Sequence, residues 1–371
     1  VSAFDTRPAR LLWNMLHIPS VSGNEGRLAS YLAERMSEFG MDSRIDEAGN
    51  VHGVIGPPDR PTVMLLGHID TVPGNIPVCR VGDLVYGRGA VDAKGPMAAM
   101  ICAAAASSGA RVHVVGAVGE EVPGSVGARH VLSTALRPDA VVIGEPSGWN
   151  GVCLGYKGRI GVRYSVSQPP MHTSSPVPTA VEDAVRLFRR IQEYVLGVSS
   201  SADPIAFGSA SATLVRLEGG LSRAEAFITC RVPPGFDFDR FEEYVRGHAT
   251  GRVWFDERVS AVHRRRSDAV ASTLRSEIVA EGGEPVMKRK AGTSDMNVLE
   301  ETWRGLPMVA YGPGDAHLDH TRDEHISIGE LLRSVRVLNR ALPRLADLVS
   351  AGRITRPPGR ALAVTSEKGT D

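Results

Sequence analysis

Two kinds of hydrophobic spacing alternate along the first part of the chain. Continuous apolar stretches at residues 62–66, 112–118 and 140–143 read as buried strands bounded by turn-forming residues. Residues 43–55 read as a further strand, cut off from the next by Pro57 and Pro58. An amphipathic pattern predicts a helix over 6–16, apolar positions at helical intervals a second through Leu28, Leu32 and Met36, and further helices are read over the small-residue stretch 96–106 and over 126–135. Ser22 precedes Glu25 by a capping-box spacing, and Gly40 closes that helix. Strands and helices in alternation predict an α/β fold with a mostly parallel sheet and helices on both faces.

The pattern changes near Lys157 and Gly158. Strands are predicted over 158–167, 211–217, 224–232 and 252–263, and helices over 179–195 and 238–248. That order, β-α-β-β-α-β, is ferredoxin-like and marks an inserted α+β unit. A helix over 268–281, a strand over 307–311 and a closing helix over 328–349, where Pro343 is expected to introduce a kink, resume the first pattern. The chain therefore divides into a first unit made of 1–156 and 265–355, an insertion at 157–264, and a tail at 356–371 predicted to be disordered.

Length and composition narrow the class. A chain of 371 residues with 42% apolar and 23% charged positions can bury a sizeable core. Basic and acidic residues number 42 each, so no global charge favours nucleic acid or an anionic membrane. Two local basic runs stand out, Arg264-Arg265-Arg266 and Lys288-Arg289-Lys290. Cys79, Cys102, Cys153 and Cys230 are scattered, which argues against a disulfide framework or a thiolate zinc site and fits a reducing compartment. With no signal-peptide pattern at the N-terminus and no apolar run long enough to span a bilayer, the expected location is cytoplasmic.

The chemistry gathers at strand ends. His68 and Asp70 follow the strand at 62–66, Glu120 and Glu121 follow 112–118, and Glu145 follows 140–143. Ligands of such sheets bind outside the carboxyl ends of the strands. Alternation along an extended chain points His68 and Asp70 the same way. With Asp92 in the polar loop 73–95 and His320 near the C-terminus, the set offers two imidazoles and three carboxylates, suited to zinc or cobalt. A shared carboxylate can hold two such ions, and water bound there turns acidic near neutral pH. Of the adjacent pair Glu120 and Glu121, one can bind metal while the other stays free to move a proton.

The runs Gly67-His68-Ile69-Asp70-Thr71-Val72, Gly87-Arg88-Gly89-Ala90-Val91-Asp92-Ala93-Lys94-Gly95, Glu120-Glu121 and Gly144-Glu145-Pro146 resemble the successive motifs of the M20 metallopeptidase family. Gly292-Thr293-Ser294-Asp295-Met296-Asn297 and the later Asp319-His320-Thr321 resemble its LysK branch, hydrolases of lysine or ornithine held on an amino-group carrier protein or in N-acyl form. The resemblance implies a zinc-peptidase-type sheet with an inserted lid and dimerisation domain, and two zinc ions, with cobalt as a possible substitute. His68 and Glu145 would bind one ion, Glu121 and His320 the other, and Asp92 would bridge. Asp70 would orient His68, and Glu120 would be the general acid/base. His320 is favoured over His317 and His325 because its segment resembles the family pattern in which the ligand stands a few residues before an acidic pair, here Asp323-Glu324.

In the insertion, His172-Thr173-Ser174-Ser175-Pro176 resembles the family element whose histidine polarises the scissile carbonyl, commonly in a partner subunit, which implies a homodimer. Arg231 would grip a substrate carboxylate, and Lys157, Thr293 and Ser294 would complete substrate binding. The usual acidic residue ahead of that arginine is replaced by Thr229-Cys230. The expected substrate is a small N-acyl amino acid or an acidic carrier protein that docks on the basic runs. A dipeptidase or carboxypeptidase of the same family is the alternative, and a non-catalytic binding protein of the same fold is a further one.

Overall fold

The computed structural model describes residues 3–354 except Ser175, Ala202 and Pro204. The tail predicted from Arg356 onward lies outside them. The chain opens with α1 (Arg7–Leu16), α2 (Gly26–Glu38), β1 (Asp42–Ile45), β2 (Val51–Ile55) and β3 (Thr62–His68). Short strands β4 (Cys79–Val81) and β5 (Leu84–Tyr86) precede α3 (Lys94–Ala106), β6 (Arg111–Ala117), α4 (Val126–Thr134), β7 (Ala140–Gly144) and β8 (Gly151–Tyr156). Then come β9 (Gly158–Ser167), α5 (Ala180–Gly197), β10 (Ser211–Gly219), β11 (Arg223–Val232), α6 (Phe238–His248) and β12 (Arg252–Phe255). The chain closes with β13 (Val262–His263), α7 (Ala269–Ala280), β14 (Val286–Lys290), α8 (Asp295–Thr302), β15 (Met308–Ala310), β16 (His325–Ser327) and α9 (Ile328–Ser350).

Among the described residues, nine strands form the main sheet, in the order β1-β2-β6-β3-β7-β15-β8-β13 with β14 also paired to β8. Its centre, β6-β3-β7-β15, is parallel, and antiparallel pairs flank it. Strand β3 is buried almost throughout, as a strand covered on both faces must be. One cover is α3, whose run of alanine and methionine has no polar face and is buried from Lys94 to Ala104. A second sheet, β10-β11-β9-β12, is antiparallel and shares its own apolar core with α5 and α6.

Several local expectations are corrected. The stretch 43–55 is two strands, because the Asp46 carboxylate accepts the amides of Ala48 and Asn50 and turns the chain back. Ser22 does not cap α2, which starts at Gly26 after Glu25. Its neighbour Val21 bridges Thr71 and its hydroxyl donates to Asp70 Oδ2, so tertiary pairing takes the group that local spacing had assigned to the helix. The stretch 252–263 breaks after Phe255, and its last two residues join the main sheet instead. Strands β8 and β14 and helix α8 went unpredicted; α9 is one helix with Pro343 inside it. No helix of the described residues is long and apolar enough to cross a membrane.

Candidate metal centre

Three neighbouring parallel strands deliver the centre. β6, β3 and β7 lie side by side and run the same way, so Glu120 and Glu121, His68 and Asp70, and Glu145 emerge together at their carboxyl ends. Asp92 arrives from the loop ahead of α3, and His320 from the segment between β15 and β16. His68 Nε2 lies 2.9 Å from Asp92 Oδ1, while His320 Nε2 lies 3.1 Å from Asp92 Oδ2 and 2.9 Å from Glu121 Oε1. Two groups of ligand atoms result, each within 4.8 Å: His68, Asp92 and Glu145, and Asp92, Glu121 and His320. Asp92 belongs to both.

The electrostatics ask for cations. Burial pushes the Glu145 carboxyl up to about 7, with Asp92 adding to the rise against Lys290 and His68. Burial also raises Glu120 well above the usual carboxylate range, reinforced by Glu145, Asp295 and Glu121 and opposed by His68. Hydrogen bonds that the carboxylates of Asp92 and Glu121 accept from its ring hold His320 up to about 10. Burial works against a charged His68, yet Asp70 and Asp92 outweigh it and raise that ring too. Crowded carboxylates that draw protons onto two imidazoles, with nitrogen and oxygen donors in the proportions borderline divalent ions favour, fit a metal pair.

Asp70 contacts more than His68. His68 Nδ1 is 3.0 Å from the Asp70 backbone carbonyl and 3.5 Å from Oδ1. The carboxylate itself accepts the amides of Glu120 (3.1 Å) and Glu121 (3.0 Å) and the Ser22 hydroxyl (2.7 Å). From the other side Asn50 accepts the Val118 amide and donates to the Gly127 carbonyl. The turn carrying both glutamates is thus pinned at each end. His320 sits at φ +62, a left-handed conformation that a non-glycine residue adopts at some cost.

A cavity of about 620 Å³ opens on the centre, lined by Asp92, Glu120, Glu121, Glu145 and His320 and by Arg231, Thr293 and Ser294. Arg231 Nη1 donates to Thr293 Oγ1 at 3.1 Å. The Ser294 hydroxyl is occupied as the N-cap of α8, accepting the Met296 amide, and Asn297 reaches back to the Ser294 amide. Lys157 is buried and is not among the cavity-lining residues. His172 is exposed and paired with Ser174 Oγ (2.7 Å), away from this cavity; Ser175 of its motif lies outside the described residues. His317 is exposed at the cavity rim beside Asp315.

Two members of the basic runs turn inward. Arg264 turns inward to Glu300 and to the Leu306 carbonyl. Lys290 enters the cavity, its Nζ 3.9 Å from Glu145 and 3.8 Å from Asp319, past an irregularity in the β14–β8 register between Lys288 and Lys290. Lys94 is also buried, with Nζ on the carbonyls of Met15 (3.1 Å) and Ile18 (2.9 Å), and burial lowers its pKa to about 8. The polar residue two positions beyond Asp92 was the available signal for that clip.

Residues 64–344 match peptidase family M20/M25/M40. A [LysW]-lysine hydrolase of Deinococcus radiodurans is 41% identical, over 92% of this chain and 98% of its own length. A putative [LysW]-lysine/[LysW]-ornithine hydrolase of Pyrococcus abyssi is 37% identical, over 91% and 93%. In fold, the M20 family metallo-carboxypeptidase Sso-CP2 of Sulfolobus solfataricus superposes with a TM-score of 0.77 at 19% identity, over 92% of this chain and all of that one. Fold, donor set and relatives together define a metal-dependent hydrolase of amide bonds. The chain belongs to peptidase family M20/M25/M40 and fits its LysK branch.

Proposed function

We propose that this protein is a two-zinc amidohydrolase that releases lysine, ornithine or a similar basic amino acid from an amino-group carrier protein or from an N-acyl derivative. The observation that carries it is the sharing of Asp92 between two ligand triads. The relatives' names supply the substrate class. His68 and Glu145 would hold one ion, Glu121 and His320 the other, with Asp92 common to both; cobalt suits the same donors. Bound there, the ions supply Lewis acidity and make water acidic near neutral pH.

The rest falls to the chain's own groups. Glu120, raised by burial and by its acidic neighbours, takes the water's proton and passes it to the leaving amine. Asp70 keeps Glu120 and Glu121 in register with His68. Arg231, steadied by Thr293, grips the carboxylate of the amino acid, and Thr293 and Ser294, which line the cavity beside it, bind the substrate's backbone. His172 donates to the carbonyl oxygen from a second copy of the chain, so the working form is a homodimer joined through the 157–264 unit, which also acts as a lid. The exposed members of the basic runs, Arg265, Arg266 and Arg289, dock an acidic carrier.

The test is release of free amino acid from a panel of N-acyl-lysine, N-acyl-ornithine, carrier conjugates and short peptides. Lysine or ornithine freed from conjugates or acyl derivatives, and not from peptides, is the expected result; peptides cleaved preferentially would overturn the substrate class. Glu120→Ala should keep its metal yet lose turnover by about three orders of magnitude or more. Activity within tenfold of the parent would remove Glu120 from its role.

A further inference from the structure

We infer that Glu324, which belongs to neither triad, sets the position of Asp92 and thereby the affinity of the cation pair; this rests on the two-ion reading above. Its side chain is 1% exposed. One carboxylate oxygen accepts the amides of Val91 (2.9 Å) and Asp92 (3.1 Å). The other accepts the Gly89 amide (3.0 Å) and Arg88 Nη1 (2.8 Å). Three amides of one loop therefore converge on one buried anion, together with a guanidinium.

The loop cannot satisfy these amides on its own. Gly89 stands at φ +84, where a Cβ would come within 2.8 Å of Thr71 Cγ2, and the Lys94 amide folds back to the Gly89 carbonyl. That turn leaves the amides of Gly89, Val91 and Asp92 facing inward, and each buried orphan costs about 1–3 kcal/mol. The antiparallel pairing of β5 with β16 places Glu324 next to Gly87, whose amide donates to the Glu324 carbonyl. Glu324 is also only four residues beyond His320. The segment that supplies His320 thus carries the clamp on the loop that supplies Asp92, and Asp92 reaches His68 on one side and His320 on the other. Any shift of the clamp moves Asp92 against both imidazoles.

Glutamine at this position keeps the size and removes the anion. Whichever way its amide turns, the NH₂ group faces N–H donors, either Val91 and Asp92 or Gly89 and Arg88. Losing a group that orients a metal ligand costs roughly 10- to 100-fold in metal affinity. Glu324 is a positioning residue, so the readout is the metal itself. Metal-free full-length protein, Glu324→Gln and Arg88→Met are titrated with Co²⁺, followed by calorimetry and by visible d–d absorption, with far-UV circular dichroism as the check on folding.

The parent should take up two ions. Glu324→Gln should bind at least one of them about tenfold or more weakly, with a changed cobalt spectrum. Arg88→Met, which leaves the three amides on the carboxylate, should shift both readouts the same way by less. Parent-like affinities and spectrum in Glu324→Gln overturn the clamp while leaving the two-ion reading intact. If that variant does not fold, parent-like behaviour of Arg88→Met overturns it instead. Fewer than two ions in the parent refutes the two-ion reading itself, and the clamp falls with it.

Discussion

Asn in place of Asp70 is nearly isosteric and removes one buried charge. The Asp70 side chain is fully buried, and its two oxygens accept the amides of Glu120 and Glu121 and the Ser22 hydroxyl. Although burial opposes the charge, the pairing with His68 and the bonds from Ser22 and Glu121 hold this carboxyl below its ordinary value, so the anion is the form present. In asparagine one oxygen becomes NH₂. If the oxygen stays on Glu120, the NH₂ confronts the Glu121 amide, and only the Ser22 hydroxyl can rotate to accept. If the group flips, the Glu120 amide is orphaned. One buried N–H is stranded either way, at about 1–3 kcal/mol, and the surviving bonds lose their charge assistance. The expected loss of stability is therefore about 2–4 kcal/mol, read as a shift in the urea midpoint at unchanged m. The stranded amide belongs to Glu120 or Glu121, so turnover should fall about 100-fold, the scale of a misplaced reacting group. Ser22→Ala is the graded control, expected to cost about 1–2 kcal/mol and to spare most of the activity. A Asp70→Asn protein within 0.5 kcal/mol of the parent, with turnover within about threefold, would refute the account.

Further outcomes follow from other parts of the molecule. Charge reversal at Arg266 and Arg289, both exposed, should raise KM for a carrier-linked substrate about tenfold or more and leave a small N-acyl substrate unaffected, and equal effects on both would remove docking from these residues. Away from the centre, His52 Nδ1 lies 3.0 Å from His113 Nε2 and its Nε2 lies 2.8 Å from Asp46. Burial pushes His113 down to about 3, helped by His52, Arg44 and Arg111. A histidine depressed in the fold favours folding in full above the unfolded value of about 6.5, and that share drains away as pH falls from there toward 3. His113→Gln should flatten the decline of the urea midpoint between pH 7 and pH 5, and an unchanged decline would show that the proton is taken up elsewhere.

Much of the candidate site was legible before any coordinates, and the reason is topological. An apolar run that stops at a polar pair marks a strand end, and strands separated by helices run parallel, so His68, Asp70, Glu120, Glu121 and Glu145 had to share one edge of the sheet. Local sequence also placed the helices α1, α3 and α4 to within a few residues: α1 and α4 each bury one face, and α3 is a run of small and apolar residues with no polar face to expose. Strands β8 and β14 escaped that reading. One is glycine-rich and the other ends in the basic run Lys288-Arg289-Lys290; β14 owes its state to pairing with β8, and β8 also pairs with β13 and β15.

What folding alone decided is which distant groups meet. Ser22 carries the spacing of a helix cap, yet its hydroxyl lies on Asp70 because Val21 bridges Thr71. Lys290 sits in a basic run, yet the pairing of β14 with β8, irregular just before it, sets it in the cavity beside Glu145 and Asp319. Glu324 looks like one acid among several until β5 and β16 pair and set it under the Asp92 loop, 232 residues away in sequence. Periodicity reports how a residue faces relative to its own element. A hydrogen bond between segments so far apart depends on how whole elements dock, and the sum of buried area and satisfied amides over the entire fold sets that.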